Sequence, residues 1–203
     1  MNLAQAKEAL ASHVNDMLSL LRLHDIEPEW VQIGNETTTG MMWPLGSTSN
    51  GTNFAQLVTA GYDAVKAVFP NSLVIVHCDE GNKWSKYNYL YGILKSGGAR
   101  YDMIGMSLYP EPGTWESTVN NCLTTIDMCK STFGKPVMIC EIGYDVDKPL
   151  EAQQMLQKMV DGALQRDVKG IFWWEPESTM QNTGYGKGAF QNGRPTGALN
   201  PFK

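Results

Sequence analysis

Five short apolar runs, each ending abruptly and each separated from the next by a stretch of helical periodicity, constrain this 203-residue chain more than any other feature. They occupy 30–36, 73–76, 101–108, 137–140 and 170–174. Runs that are apolar almost throughout predict strands covered on both faces, and hence a parallel sheet in an α/β fold. Helices are predicted over 2–23, 54–69, 84–95, 114–133 and 150–165. In the first of these, Leu3, Ala6, Leu10, Val14, Met17, Leu18 and Leu21 share one face. Asn53 is placed to cap the second helix. Gly97-Gly98 and Gly134 stop the third and fourth. The loop 37–53 carries Trp43-Pro44 among Gly, Ser, Thr and Asn, and loops of that length in a compact domain are usually functional. The tail from 178 is expected to be mostly irregular, with a short last helix near Ala198. No linker interrupts the pattern, so 1–203 reads as a single domain.

Composition removes several function classes. The net charge is −5 with no basic patch, which argues against nucleic-acid binding. No apolar run approaches membrane-spanning length, and 1–10 holds no signal-peptide core. Cys122 and Cys129 lie seven apart on a predicted helix, roughly 10 Å along its axis, too far for a disulfide. Cys78 and Cys140 fall in apolar strands and are expected to be buried thiols. Only three His are present, none beside a Cys pair, so no metal-ligand spacing emerges and no cofactor is expected.

The chemistry is sought at the strand ends, because the carboxyl edge of a parallel sheet is where such folds bind ligands. Glu36 closes the first run and Glu141 the fourth, 105 residues later, which is three times 35, the length of an ordinary barrel βα unit. In an eight-stranded barrel that spacing puts the two nearly across the mouth from each other. Two carboxylates flanking a sugar are the machinery of glycoside hydrolysis, and mutual repulsion separates their roles into acid and nucleophile. The competing reading is two unrelated strand-end acids. A further alternative is a self-contained, doubly wound five-stranded domain. It calls for a Gly-rich phosphate loop after the first strand, and Gly34-Asn35-Glu36-Thr37 is not one.

The local contexts extend this reading. Val31-Gln32-Ile33-Gly34-Asn35-Glu36 is followed by Gly40 and Trp43-Pro44, then by Val74-Ile75-Val76-His77 with Asp79. Ile104-Gly105-Met106-Ser107-Leu108-Tyr109-Pro110 comes next, then Glu141 with Tyr144, and Phe172-Trp173-Trp174-Glu175-Pro176 closes the set. In this order the motifs resemble clan A of the retaining glycoside hydrolases, and most closely family 53, the endo-β-1,4-galactanases. The resemblance implies a (β/α)8 TIM barrel represented by its C-terminal part, from about the third helix to the eighth unit. It thus implies that the first three βα units are absent, leaving open strand edges prone to aggregate. It implies Glu36 as general acid/base and Glu141 as nucleophile, with the two carboxyl groups about 5–5.5 Å apart. Asn35 would hydrogen-bond the sugar 2-hydroxyl, and Tyr109 would hold Glu141. Asp79 would bind a substrate hydroxyl. Trp174 would stack on the sugar, with Trp173 pointing the other way along the strand. Trp43 and Trp84 are candidate outer platforms. The implied partner is a polysaccharide, β-1,4-galactan, and the implied location is extracellular or in the cell envelope. Another clan A endo-glycanase (a β-mannanase or β-glucanase) and an inactive carbohydrate-binding fragment are the alternatives.

Overall fold

A computed structural model describes residues 1–203, and all five apolar runs form strands in it. The chain divides into two compact units, 1–79 with 85–105, and 80–84 with 106–203.

In the first unit, helix α1 (Leu3–Leu23) starts at a capping box. The Gln5 N–H donates to Asn2 Oδ1 at 3.0 Å and the Asn2 N–H to Gln5 Oε1 at 2.9 Å, so two otherwise orphaned donors are satisfied. Strand β1 (Trp30–Gln32) is shorter than the predicted 30–36. The long loop is built rather than slack. It holds a 3-10 turn (Thr37–Thr39), a two-residue hairpin of β2 (Gly40–Met41) and β3 (Gly46–Ser47), and a second 3-10 turn (Thr48–Asn50). Helix α2 (Gly51–Val68) therefore begins earlier than its apolar pattern suggests. Asn53 lies inside it and caps nothing; its Nδ2 instead donates to the Leu45 carbonyl at 3.1 Å. The buried face of α2 includes Phe54, Leu57, Val58, Val65 and Val68. Gly61 on that face lets Ile33 pack close, since a Cβ there would sit 3.3 Å from the Ile33 side chain. Strand β4 (Leu73–Cys78) pairs parallel with β1, Val31 opposite Val74. Most of helix α3 (Trp84–Ser96) follows, and the unit ends within β5 (Met103–Leu108).

The second unit takes the rest of β5, then α4 (Trp115–Phe133), β6 (Val137–Ile142), α5 (Pro149–Gln165) and β7 (Ile171–Trp173). Helix α4 ends on Gly134, whose φ of 63° is the left-handed cap that glycine adopts without steric cost. Pro149 opens α5, where its missing N–H is no loss. Ala152, Met155, Leu156, Met159 and Ala163 form the buried stripe of α5. β6 and β7 pair parallel, Ile139 with Ile171 and Ile142 with Trp173, across an irregularity. β7 has no strand on its other side. The tail is more ordered than expected: β8 (Phe190–Gln191) and β9 (Arg194–Pro195) make a hairpin, and a 3-10 helix (Gly197–Phe202) packs on α5. All four cysteines are free; Cys140 is half-buried, whereas Cys78, Cys122 and Cys129 are buried. No helix is long and apolar enough to cross a membrane.

Candidate active site

Glu36 belongs to the first unit. After Gln32 the chain turns out of the sheet. Ile33 still donates its N–H to the Ile75 carbonyl at 3.1 Å, but Gly34 (φ 78°) and Glu36 (φ 43°, ψ 55°) are both left-handed. For a glutamate that conformation costs roughly 1–2 kcal/mol and requires the surroundings to enforce it. The enforcement comes from the end of β4. The Glu36 N–H donates to His77 Nδ1 at 3.4 Å, and Thr37 Oγ1 donates to the His77 carbonyl at 3.0 Å. Thr38 Oγ1 donates to Asp79 Oδ1 at 2.6 Å and accepts the Asp79 N–H at 3.1 Å. Lys86 Nζ reaches both Asp79 oxygens at 3.0 Å. Three consecutive residues after β1 are thereby pinned to the residues that close β4.

His77 is fully buried, and that burial pushes its pKa down to about 4, against the opposing pull of the Asp79 charge. The ring is neutral at pH 7, and an accepting Nδ1 leaves its proton on Nε2. Asn35 is exposed, its Oδ1 taking a bond from Gln32 Nε2 at 3.2 Å. Trp43 stands 61% exposed between β2 and β3.

Glu141 belongs to the second unit. Glu141 lies on β6 and is buried. The Tyr109 hydroxyl, one residue past β5, donates to Glu141 Oε2 at 2.6 Å. Burial, reinforced by this bond to Glu141 and by the neighbouring Tyr185, raises the Tyr109 pKa far above the usual phenol range, so Tyr109 remains a donor. Gly143 makes room for this pair: a Cβ there would lie 2.9 Å from the Tyr109 ring and 3.0 Å from the Tyr185 hydroxyl. Burial also raises the Tyr185 pKa, and its hydroxyl is sealed from water beside Tyr109. The two tryptophans separate by burial. Trp173 is 8% exposed and donates Nε1–H to the Lys187 carbonyl at 3.0 Å, whereas Trp174 is 44% exposed. Glu175, left-handed at φ 41°, accepts from Ser178 Oγ at 2.9 Å. Trp84 packs its ring 6.1 Å from that of Phe133.

Of the residues expected to carry chemistry, the structure joins Tyr109 to Glu141 and ties Asp79 to the Glu36 turn. Trp43 and Trp174 stand exposed at their loop and strand end. His77, Thr38, Lys86 and Tyr185 are additions. His77 was detectable as an ionisable group ending an apolar run. Thr38 and Lys86 look like ordinary surface polar residues until the fold brings them to Asp79.

This arrangement defines a class of fold. A solved fungal β-1,4-galactanase structure superposes on all of this chain and 69% of its own with a TM-score of 0.86 at 24% identity. The GH53 catalytic domain from Ignisphaera aggregans does so over all of this chain and 66% of its own, at TM-score 0.85 and 24% identity. The fold is α/β, a consecutive run of βα units of a (β/α)8 barrel. The model of Glycosyl hydrolase family 53 matches residues 1–158, and the chain belongs to that family. A probable arabinogalactan endo-beta-1,4-galactanase A from Aspergillus tubingensis is 30% identical over 195 residues, covering 83% of this chain and 55% of the relative. Arabinogalactan endo-beta-1,4-galactanase A from Aspergillus niger is 28% identical over 211 residues, 90% and 59% respectively. The chain thus spans somewhat more than half the length of these curated relatives.

Proposed function

We propose that the protein hydrolyses internal β-1,4-galactosidic bonds of galactan and type I arabinogalactan with retention of configuration, and that 1–203 is catalytic-domain sequence. The observation that carries this reading is the buried Glu141 held by Tyr109 at 2.6 Å near the carboxyl end of β6. That is how a nucleophile is kept ionised and aimed. Glu141 attacks the anomeric carbon as Glu36 passes its proton to the leaving glycosidic oxygen, giving a galactosyl ester. Glu36, now a carboxylate, takes a proton from water, which attacks the same carbon and frees Glu141. Asn35 serves the sugar 2-hydroxyl, Trp174 gives the sugar an exposed stacking face, and Trp43 offers one further out. The galactanase relatives favour galactan over mannan or glucan, and a polysaccharide of this size is met outside the cell or in its envelope.

The test uses the full-length protein. Glu141→Ala abolishes galactan cleavage, and azide restores turnover by replacing the nucleophile. Glu36→Ala spares the first step on substrates with good leaving groups. Either variant cleaving galactan at near-parental rate would overturn the assignment.

A further inference from the structure

Glu36 sits on a turn that its own sequence does not favour, so something must hold it. Two of the three anchors are backbone-directed: the Glu36 N–H on His77 and Thr37 on the His77 carbonyl. The third turns on the Thr38 hydroxyl, which meets both the backbone N–H and the carboxylate of Asp79. Thr38 Oγ1 both donates to and accepts from Asp79, at 2.6 and 3.1 Å, which leaves that hydroxyl with little freedom to rotate. Cys78 Sγ lies 3.4 Å from the same oxygen. The Asp79 carboxylate is fixed in turn by Lys86, at 3.0 Å to each oxygen, a two-pronged contact with both side chains about 30% exposed. Both Asp79 oxygens are therefore already accepting inside the protein.

We propose that Thr38, locked by the Asp79–Lys86 pair, is a positioning residue for Glu36, holding the left-handed turn that aims the acid/base carboxyl. This rests on the reading of Glu36 as the proton donor. It assigns Asp79 an action through Thr38 rather than through the sugar. The consequence is chemical. In kcat/KM, which reports the first step alone, a misaimed Glu36 hurts only those bonds whose leaving oxygen needs a proton, whereas a lost sugar contact hurts every substrate alike.

The experiment compares galactan with 2,4-dinitrophenyl β-galactobioside, whose phenolate departs unprotonated, in the full-length protein. Thr38→Val lowers kcat/KM on galactan by about 10- to 100-fold, the scale of a displacement near 1 Å, and changes the aryl substrate by less than about threefold. Thr38→Ser keeps the hydroxyl and restores galactan cleavage, and Asp79→Asn reproduces the split. If Thr38→Val does not fold, Lys86→Met at a partly exposed cation carries the same comparison. Equal losses on both substrates overturn the proposal in favour of a sugar contact or a general structural role. Glu36→Ala separates the two levels. If it lacks the split, the acid/base reading itself fails and this proposal falls with it. If it shows the split and the Thr38 and Lys86 variants do not, only the positioning role fails.

Discussion

Acid should destabilise this protein through His77 in a measurable, predictable way. The imidazole is fully buried, with its pKa pushed from 6.5 to about 4 by loss of solvation. In the unfolded chain it titrates near 6.5. Between those values the unfolded state binds the proton and the folded state does not, so stability is fully present above about pH 6.5 and drains away as pH falls toward 4. The whole interval of about 2.5 pH units, at roughly 1.36 kcal/mol each, is worth about 3 kcal/mol, and about 2 kcal/mol is gone by pH 5. A proton on Nδ1 would also confront the Glu36 N–H with a second donor, so the Glu36 turn loosens as the fold weakens. The assay is urea unfolding of the parent and of His77→Gln at pH 7.5 and 5.0. Carboxylates titrating in both proteins cancel in the difference. The variant's deficit relative to the parent should shrink by about 2 kcal/mol at the lower pH. A deficit unchanged between the two pH values would refute the burial argument.

Other consequences follow from single contacts. Tyr109→Phe removes a hydrogen bond to a buried carboxylate, worth about 1.5–3 kcal/mol, so kcat/KM on galactan should fall about 10- to 100-fold while the protein still folds; a parental rate would contradict the role of Tyr109. The thiols of Cys78, Cys122 and Cys140 are pushed up to about 12, chiefly by burial, so iodoacetamide at pH 8 should leave them unmodified until denaturant is added. Rapid labelling of the native protein at these positions would refute that. Phe172 is 52% exposed on β7, a strand with one free edge. For residues 1–203 expressed alone, concentration-dependent association, seen by light scattering, should weaken in Phe172→Lys, and a strictly monomeric parent would refute this.

The strands were legible because burial on both faces leaves an apolar run no alternation to hide in; β5 lies within its run, and β4 and β6 each continue two residues past theirs. The end of β1 was not. Ile33 is apolar and buried, and nothing in its neighbourhood except Gly34 announces that the chain has left the sheet. A left-handed Glu36 is a tertiary decision, imposed by β4 residues some forty positions away, and local propensity argues against it. The start of α2 was misplaced for a related reason. Asn53 is a good capping residue, but the hairpin and 3-10 turn before it deliver the chain already helical at Gly51. Glu36, Glu141 and Tyr109 could be put forward from the sequence because strand ends are where such folds bind ligands. Thr38 and Lys86 gain meaning only from Asp79, and Tyr185 only from the ordered tail that brings it against Tyr109 and Gly143.

The central claim is that Glu141 forms a covalent bond to the sugar. A 2-deoxy-2-fluoro-β-galactobiosyl substrate with a good leaving group slows hydrolysis of the ester enough to trap it. Mass spectrometry of the digested full-length protein should then find one fluorosugar on the peptide carrying Glu141, absent after Glu141→Gln. A label on Glu36, or no label while the reagent is still turned over, would contradict the account.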